Sequence, residues 1–168
     1  MKIGDLCSRD VFVVGPAEPL ANAVREMDSR HVGAVVVVEG QGEATRPVGL
    51  VTDRDVLRGQ FERKADLFCL TVGDVMTTHP LTLQEDWDVS NAIGRMSARG
   101  VRRAPVVDKA DNLVGIVSFD DLLPVVAEEL AALARLIGTQ AGREPARAAV
   151  NAANAWRAAE SDASRRGA

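Results

Sequence analysis

The chain has 168 residues, 46% apolar and 26% charged, with a net charge of −4, an ordinary globular profile with room for a real core. Six arginines against three acids in residues 131–168 leave 14 basic and 21 acidic residues before them, so an acidic body carries a basic tail and offers no surface suited to the nucleic-acid backbone. No apolar run approaches the roughly 18 residues of a membrane span, and the N-terminus lacks the basic start and apolar stretch of a signal peptide, so a cytoplasmic address is expected.

In chain order, Ile3-Gly4-Asp5-Leu6 opens the sequence and Phe12–Val14 supplies an extended piece before Pro16 and Pro19. Leu20, Ala23, Val24 and Met27 recur at i, i+3, i+4 and i+7, the stripe of an amphipathic helix. Ala34–Val38 is a β-branched run between Gly33 and Gly40 and reads as a buried strand. Val48–Val51 is its partner across a hairpin loop with Gly40 and Gly42. These two glycines lack the strand-to-helix context of a dinucleotide fingerprint. Thr52 then opens a short helix through Leu57.

The same order returns. Val72-Gly73-Asp74-Val75 repeats the opening, Leu81–Leu83 the extended piece, and Val89, Ala92, Ile93 and Met96 the helical stripe. Ala104–Val107 and Leu113–Val117 are the paired strands, and Ser118 opens the last helix. Ile3 and Val72 are 69 residues apart, Gly49 and Gly115 only 66. The difference of three lies in one loop, Glu39–Arg46 against Asp108–Asn112, so a single length change explains the register and the repeat is real. The expected fold is α/β (α+β): two β-α-β-β-α units with pseudo-twofold symmetry, joining their apolar sheet faces because neither buries enough alone. The expected boundaries are 1–60 and 72–125 for the repeats, 61–71 for a linker and 126–168 for a helical tail.

Pro124 reads as the first residue of a new helix with Glu128 and Glu129 near its start. Val126, Leu130, Leu133 and Ile137 are spaced 4-3-4, a short seam ending at Gly138. A second Ala-rich helix is expected from Pro145 to about Ala159, with Trp156 on it, and residues 161–168 should fray. The seam should dock on its own body or on a partner subunit.

Two short motifs carry the chemistry. Thr52-x-x-Asp55 and Ser118-x-x-Asp121 each follow a strand and precede a helix. Each is close to a capping box, which needs no ligand. The acid is Asp both times, a shorter arm than the usual Glu or Gln, and a helix N-terminus is also where anions bind. A hydroxyl there can donate to phosphate, and an ionised Asp one turn on can accept from both hydroxyls of a ribose. The pair suits a nucleoside phosphate. Cys7 and Cys69 form no CxxC and are expected as free thiols. His31 and His79 have no clustered ligands, so no metal is expected, and Cys69 with His79 lacks a third group for nucleophilic catalysis.

Over residues 1–125 the chain resembles a tandem pair of CBS domains, the nucleotide-sensing repeats named after cystathionine beta-synthase. The resemblance rests on the Ile/Val-Gly-Asp-Leu/Val starts, Met76-Thr77-Thr78-His79-Pro80, the Arg102-Arg103-Ala104-Pro105-Val106-Val107-Asp108 strand and the two Gly-apolar-apolar-Thr/Ser-x-x-Asp endings. It implies two clefts able to hold AMP, ADP, ATP or a related adenosine ligand, with no cofactor required. The implied ribose acids are Asp55 and Asp121, with Thr52 and Ser118 as hydroxyl partners. Adenine would lie against Val11, Phe12, Ala34 and Val35 in the first cleft, and against His79, Pro80, Leu81, Ala104 and Pro105 in the second, where Thr78 is a further candidate ligand residue. Arg54, just before the first acid, would meet phosphates there, while Asp120 occupies that place in the second copy, where Arg102 or Arg103 can compensate. The first copy departs from the pattern, with Cys7-Ser8-Arg9-Asp10-Val11 in place of Met-Thr-Thr-His-Pro. The expected function is a non-catalytic regulatory module, a homodimer, that signals nucleotide state to another protein, since the chain leaves no room for an enzyme domain. A ligand-free scaffold working through protein contacts is the alternative.

Overall fold

A computed structural model describes residues 1–42 and 44–136. Two compact units divide the chain, residues 1–122 and 123–168. In the first unit the elements are α1 (Ile3–Leu6), β1 (Val13–Val14), α2 (Leu20–Ser29), β2 (Ala34–Gln41), β3 (Ala44–Thr52) and α3 (Asp53–Arg63). A 3₁₀ turn at Leu67–Cys69 leads to α4 (Val72–Val75), β4 (Thr77–Thr78), β5 (Leu83–Gln84), α5 (Val89–Arg99), β6 (Arg103–Val107) and β7 (Leu113–Ser118). Residues 119–136 are helical throughout, Pro124 included; the fresh start expected at Pro124 does not occur, and the helix opens at the cap of Ser118. Ile137, Gly138 and the expected helix of 145–159 lie outside the described residues.

The repeat is visible in the geometry. Both β1–β2 and β5–β6 are parallel, and both β2–β3 and β6–β7 are antiparallel hairpins. Each hairpin carries a bulge at the equivalent place, Val37/Val38 and Val106/Val107, which shortens the regular ladder and adds local twist. Gly40 and Gly42 turn the longer hairpin with φ of 106° and 64°, values that L side chains rarely adopt. The helical stripes hold except at Ile93, which is exposed. Leu20, Ala23 and Met27 are buried on α2, and Val89, Ala92 and Met96 on α5. Gly100, at φ 63°, closes α5 as a left-handed cap.

The short leading helices exchange partners. Ile3 of the first copy is fully buried in the core of the second, among Leu83, Ala92, Met96 and Val117. Val72 and Val75 of the second copy are buried in the core of the first, among Leu20, Val35 and Val51. The strand contacts follow: Ser8 bridges Ile116, and Thr77 pairs with Leu50, the same contact made by each copy on the other. Two glycines make room for it. A Cβ on Gly115 would meet the Cys7 sulfur at 2.6 Å, and one on Gly49 the Met76 sulfur at 2.5 Å. Each repeat thus has its own core, completed by the other's leading helix.

The helix after the first motif is longer than its pattern suggests. α3 runs to Arg63, into the stretch expected as linker. Gly59, two residues past the expected end at Leu57, is buried in mid-helix against Val75; its missing side chain lets α4 approach.

Candidate functional site

The two hydroxyl–acid motifs cap their helices. At α3, Thr52 Oγ1 donates to Asp55 Oδ2 at 2.7 Å, the Thr52 N–H donates to the same oxygen at 3.0 Å, and the Asp55 N–H returns to Oγ1 at 3.3 Å. Ser118 and Asp121 repeat this with distances of 2.7, 2.7 and 3.4 Å. The capping reading therefore holds at both places, and the aspartates differ in what remains. Asp55 is buried, and its Oδ1 takes a 2.8 Å ion pair from Arg58. Asp121 is exposed, and among the described residues nothing hydrogen-bonds its Oδ1. That oxygen keeps accepting capacity for a ligand.

The first α3 amides are also in use. The Asp53 N–H donates to the Gly33 carbonyl at 3.4 Å, and the Arg54 N–H to Asp53 Oδ1 at 2.8 Å. The open anion seat expected at this helix start is closed by the protein's own acceptors. At the other motif the Phe119 N–H donates to the Arg102 carbonyl at 2.8 Å.

A cavity of about 550 Å³ gathers six of the expected residues. Val11, Phe12 and Ala34 come from the first copy; Ile116, Ser118 and Asp121 come from the second, with Arg103 reaching in beside Gly33. Grouped by copy, Val11, Phe12 and Ala34 would share a cleft with Thr52, Arg54 and Asp55. The structure corrects this: they share it with Ser118 and Asp121. The reason is the exchange of leading segments, because the Ser8–Ile116 bridge carries residues 8–12 past the end of β7. Arg54 is exposed on α3 and lies outside this cavity.

Other expected residues fall elsewhere. The Val35 and Ala104 side chains are fully buried in the two cores, and Pro105 is buried on β6, so none of the three presents a free apolar face to a ligand. Thr78 pairs with Gly49, and the His79 N–H donates to the Val48 carbonyl at 3.2 Å. This runs Thr78, His79 and Pro80 beside β3, which ends at Thr52 just ahead of Asp55, the counterpart of the first arrangement. Leu81 packs against the second core.

Seven lining residues were not foreseen: Ser8, Asp10, Arg30, His31, Val32, Gly33 and Ile116. Ser8 and Asp10 align with Thr77 and His79, so the repeat alone places them in a cleft. Arg30 and His31 follow the end of α2 and belong to no motif. His31 adopts a left-handed φ of 53°, which turns the chain from α2 towards β2. Among the described residues no group of His, Cys, Asp or Glu could hold a metal ion. Cys7 and Cys69 are free; burial pushes the Cys7 thiol up, with Arg9 partly opposing it. A second, largely apolar groove of about 510 Å³ between α2 and α3 is lined by Val24, Met27, Val32, Val56 and Leu57, together with Asp28, His31 and Asp53.

Comparison with known proteins is consistent with this geometry. The family model for the CBS domain matches residues 3–62 and 72–128. An uncharacterised protein of Methanopyrus kandleri is 30% identical over 125 residues, 74% of this chain and 62% of its own length, so this chain spans less than two thirds of that relative. The crystal structure of CBSX2 in complex with AMP superposes with a TM-score of 0.63 at 25% identity, over 76% of this chain and 96% of that one. The CBS domain pair of protein MJ0100, in complex with 5′-methylthioadenosine and S-adenosyl-L-methionine, gives 0.67 at 22% identity, over 77% and 98%.

Proposed function

The chain belongs to the CBS domain family, and on that footing we propose that it is a non-catalytic regulatory module that binds an adenosine phosphate and relays its presence to a partner protein. One observation carries the reading. The cavity joins an apolar wall (Val11, Phe12, Ala34) to a hydroxyl–acid pair (Ser118, Asp121) whose Oδ1 is uncommitted, with Arg103 beside them. The wall suits a base, the acid a ribose diol, and the guanidinium a phosphate through charge-assisted bonds. Its volume falls within the range of small-ligand sites. The AMP held by CBSX2, which shares the fold, supports the same ligand class.

AMP or adenosine fits this cavity better than ATP, because Asp121 and Asp10 stand among its charged groups beside Arg30 and Arg103. The Thr52–Asp55 cleft is a second, weaker seat, its acid already paired with Arg58. The module works as a cytoplasmic homodimer. Leu57, Phe61 and Ile93 are exposed and the apolar groove between α2 and α3 lies open, whereas Ala92 and Met96 are buried in their own core. Among the described residues no helix is long and apolar enough to cross a membrane.

Thermal unfolding with AMP, ADP, ATP, adenosine or S-adenosylmethionine tests the reading. A ligand at 100 times its Kd stabilises the fold by about 2.7 kcal/mol. No shift with any of them would leave the ligand-free scaffold, a reading that the exposed groove and the exposed Leu130 and Leu133 favour.

A further inference from the structure

Phe12 lines the cavity, and its ring also packs against the first core. On its face lies the guanidinium of Arg30, 5.2 Å from the ring centroid. That guanidinium is held on two sides. Nε bonds Glu26 Oε2 at 3.3 Å one turn back on α2, and Nη1 sits 3.7 Å from Asp10 Oδ1. Asp10, Phe12 and Arg30 all line the cavity. The planar cation therefore covers the aromatic surface on which a base would stack.

A base cannot slip between them. Two van der Waals contacts of about 3.5–4.0 Å each require roughly 7–8 Å between the guanidinium and the ring, and the Arg30 Cζ stands 5.2 Å from the ring centroid. Resting on the adenosine reading above, we propose that Arg30 is a specificity-determining plug: an internal competitor that must leave Phe12 before a base can stack there. Its holders are asymmetric. Glu26 shares α2 with it and travels with it. Asp10, on the segment that crosses between the repeats, is the contact that displacement breaks. Ligand entry thus frees Asp10 from α2, and the plug raises the concentration of base needed to occupy the cavity.

The sign of the effect is opposite to that of an ordinary binding residue. Removing Arg30 tightens binding of uncharged adenosine. A cation–π contact at an exposed site corresponds to about a two- to fivefold change in affinity. Arg30→Lys, with a compact cation instead of a plane, should fall between wild type and Arg30→Ala.

Calorimetry with adenosine and AMP on the full chain tests this, using Arg30→Ala, Arg30→Gln, Phe12→Leu and the Phe12→Leu/Arg30→Ala double variant. Expected are a tighter adenosine Kd for both Arg30 variants and no effect of Arg30→Ala once Phe12 is gone. A purely structural role for Arg30 would not vanish with the ring. Equal or weaker adenosine binding by both Arg30 variants, with wild type binding normally, overturns the plug alone. If neither wild type nor the Arg30 variants bind adenosine or AMP, the adenosine reading fails and the plug falls with it.

Discussion

Replacing Asp55 and Asp121 by alanine, one at a time, should separate two effects that the repeat makes look alike. Asp55 is 9% exposed and accepts from Thr52 N–H, Thr52 Oγ1 and Arg58. Its loss removes a cap, a charge-assisted pair and the partner of a half-buried amide. Caps contribute about 1 kcal/mol and a stranded donor costs about 1–3 kcal/mol, so Asp55→Ala should destabilise by roughly 2–4 kcal/mol. At about 2–4 °C per kcal/mol for a chain of this size, that is a fall of roughly 4–16 °C. Asp121 is exposed and among the described residues makes only the cap bonds; water replaces them, and about 0.5–1.5 kcal/mol is expected. Ligand response should reverse the order. Losing a charge-assisted bond to the ribose costs about 1.5–3 kcal/mol, or about 10- to 100-fold in Kd. With AMP at 100 times the wild-type Kd, stabilisation should drop from about 2.7 kcal/mol to about 0.4–1.4 kcal/mol in Asp121→Ala. Asp55→Ala should keep most of the AMP shift from its lower baseline. Melting curves with and without AMP read both numbers. A full AMP shift in Asp121→Ala, or its loss in Asp55→Ala alone, would refute the assignment of ribose to Asp121.

The exchanged leading segments predict unequal glycine variants. Gly115→Ala drives its Cβ against the Ser8 carbonyl oxygen at 2.8 Å, which is backbone, whereas Gly49→Ala meets chiefly the Met76 side chain. Gly115→Ala should cost about 1–3 kcal/mol and Gly49→Ala less; equal urea midpoints would contradict this. Hydrogen bonds from the Thr71 backbone and hydroxyl hold Asp74 below the usual carboxylate range, and bonds from Asn112 do the same for Asp108. Their stabilisation is present above the unfolded carboxylate pKa and is lost as pH falls through the lower folded values. Asp108→Asn should therefore flatten the acid limb of the stability profile followed by urea unfolding, and an unchanged limb would deny Asp108 that part. Leu130 and Leu133 are 61% and 58% exposed at seam spacing. If two copies pair along that seam, Leu130→Ser with Leu133→Ser should weaken self-association in sedimentation runs, and identical association constants would dismiss the seam.

What the sequence by itself determined was local. The hairpins, the stripes on α2 and α5, and the caps at Thr52 and Ser118 follow from the periods of strand and helix and from single polar side chains, which neighbours in the chain set. The repeat, read as offsets of 69 and 66, also foretold that whatever one copy does the other does too. What it left open was which copy each leading segment would join. Ile3 is apolar in either core, and the crossed arrangement rests on tertiary contacts such as the close approach of Cys7 to Gly115 and of Met76 to Gly49. That choice put Phe12 with Asp121 instead of Asp55. It also left the chemical difference between the aspartates invisible in the motif, because Arg58 pairs with Asp55 while Asp121 keeps a free oxygen. Arg30 belongs to no pattern. Its place over Phe12 comes from where α2 ends relative to the segment just before β1, and such distances are decided by packing, which no local period encodes.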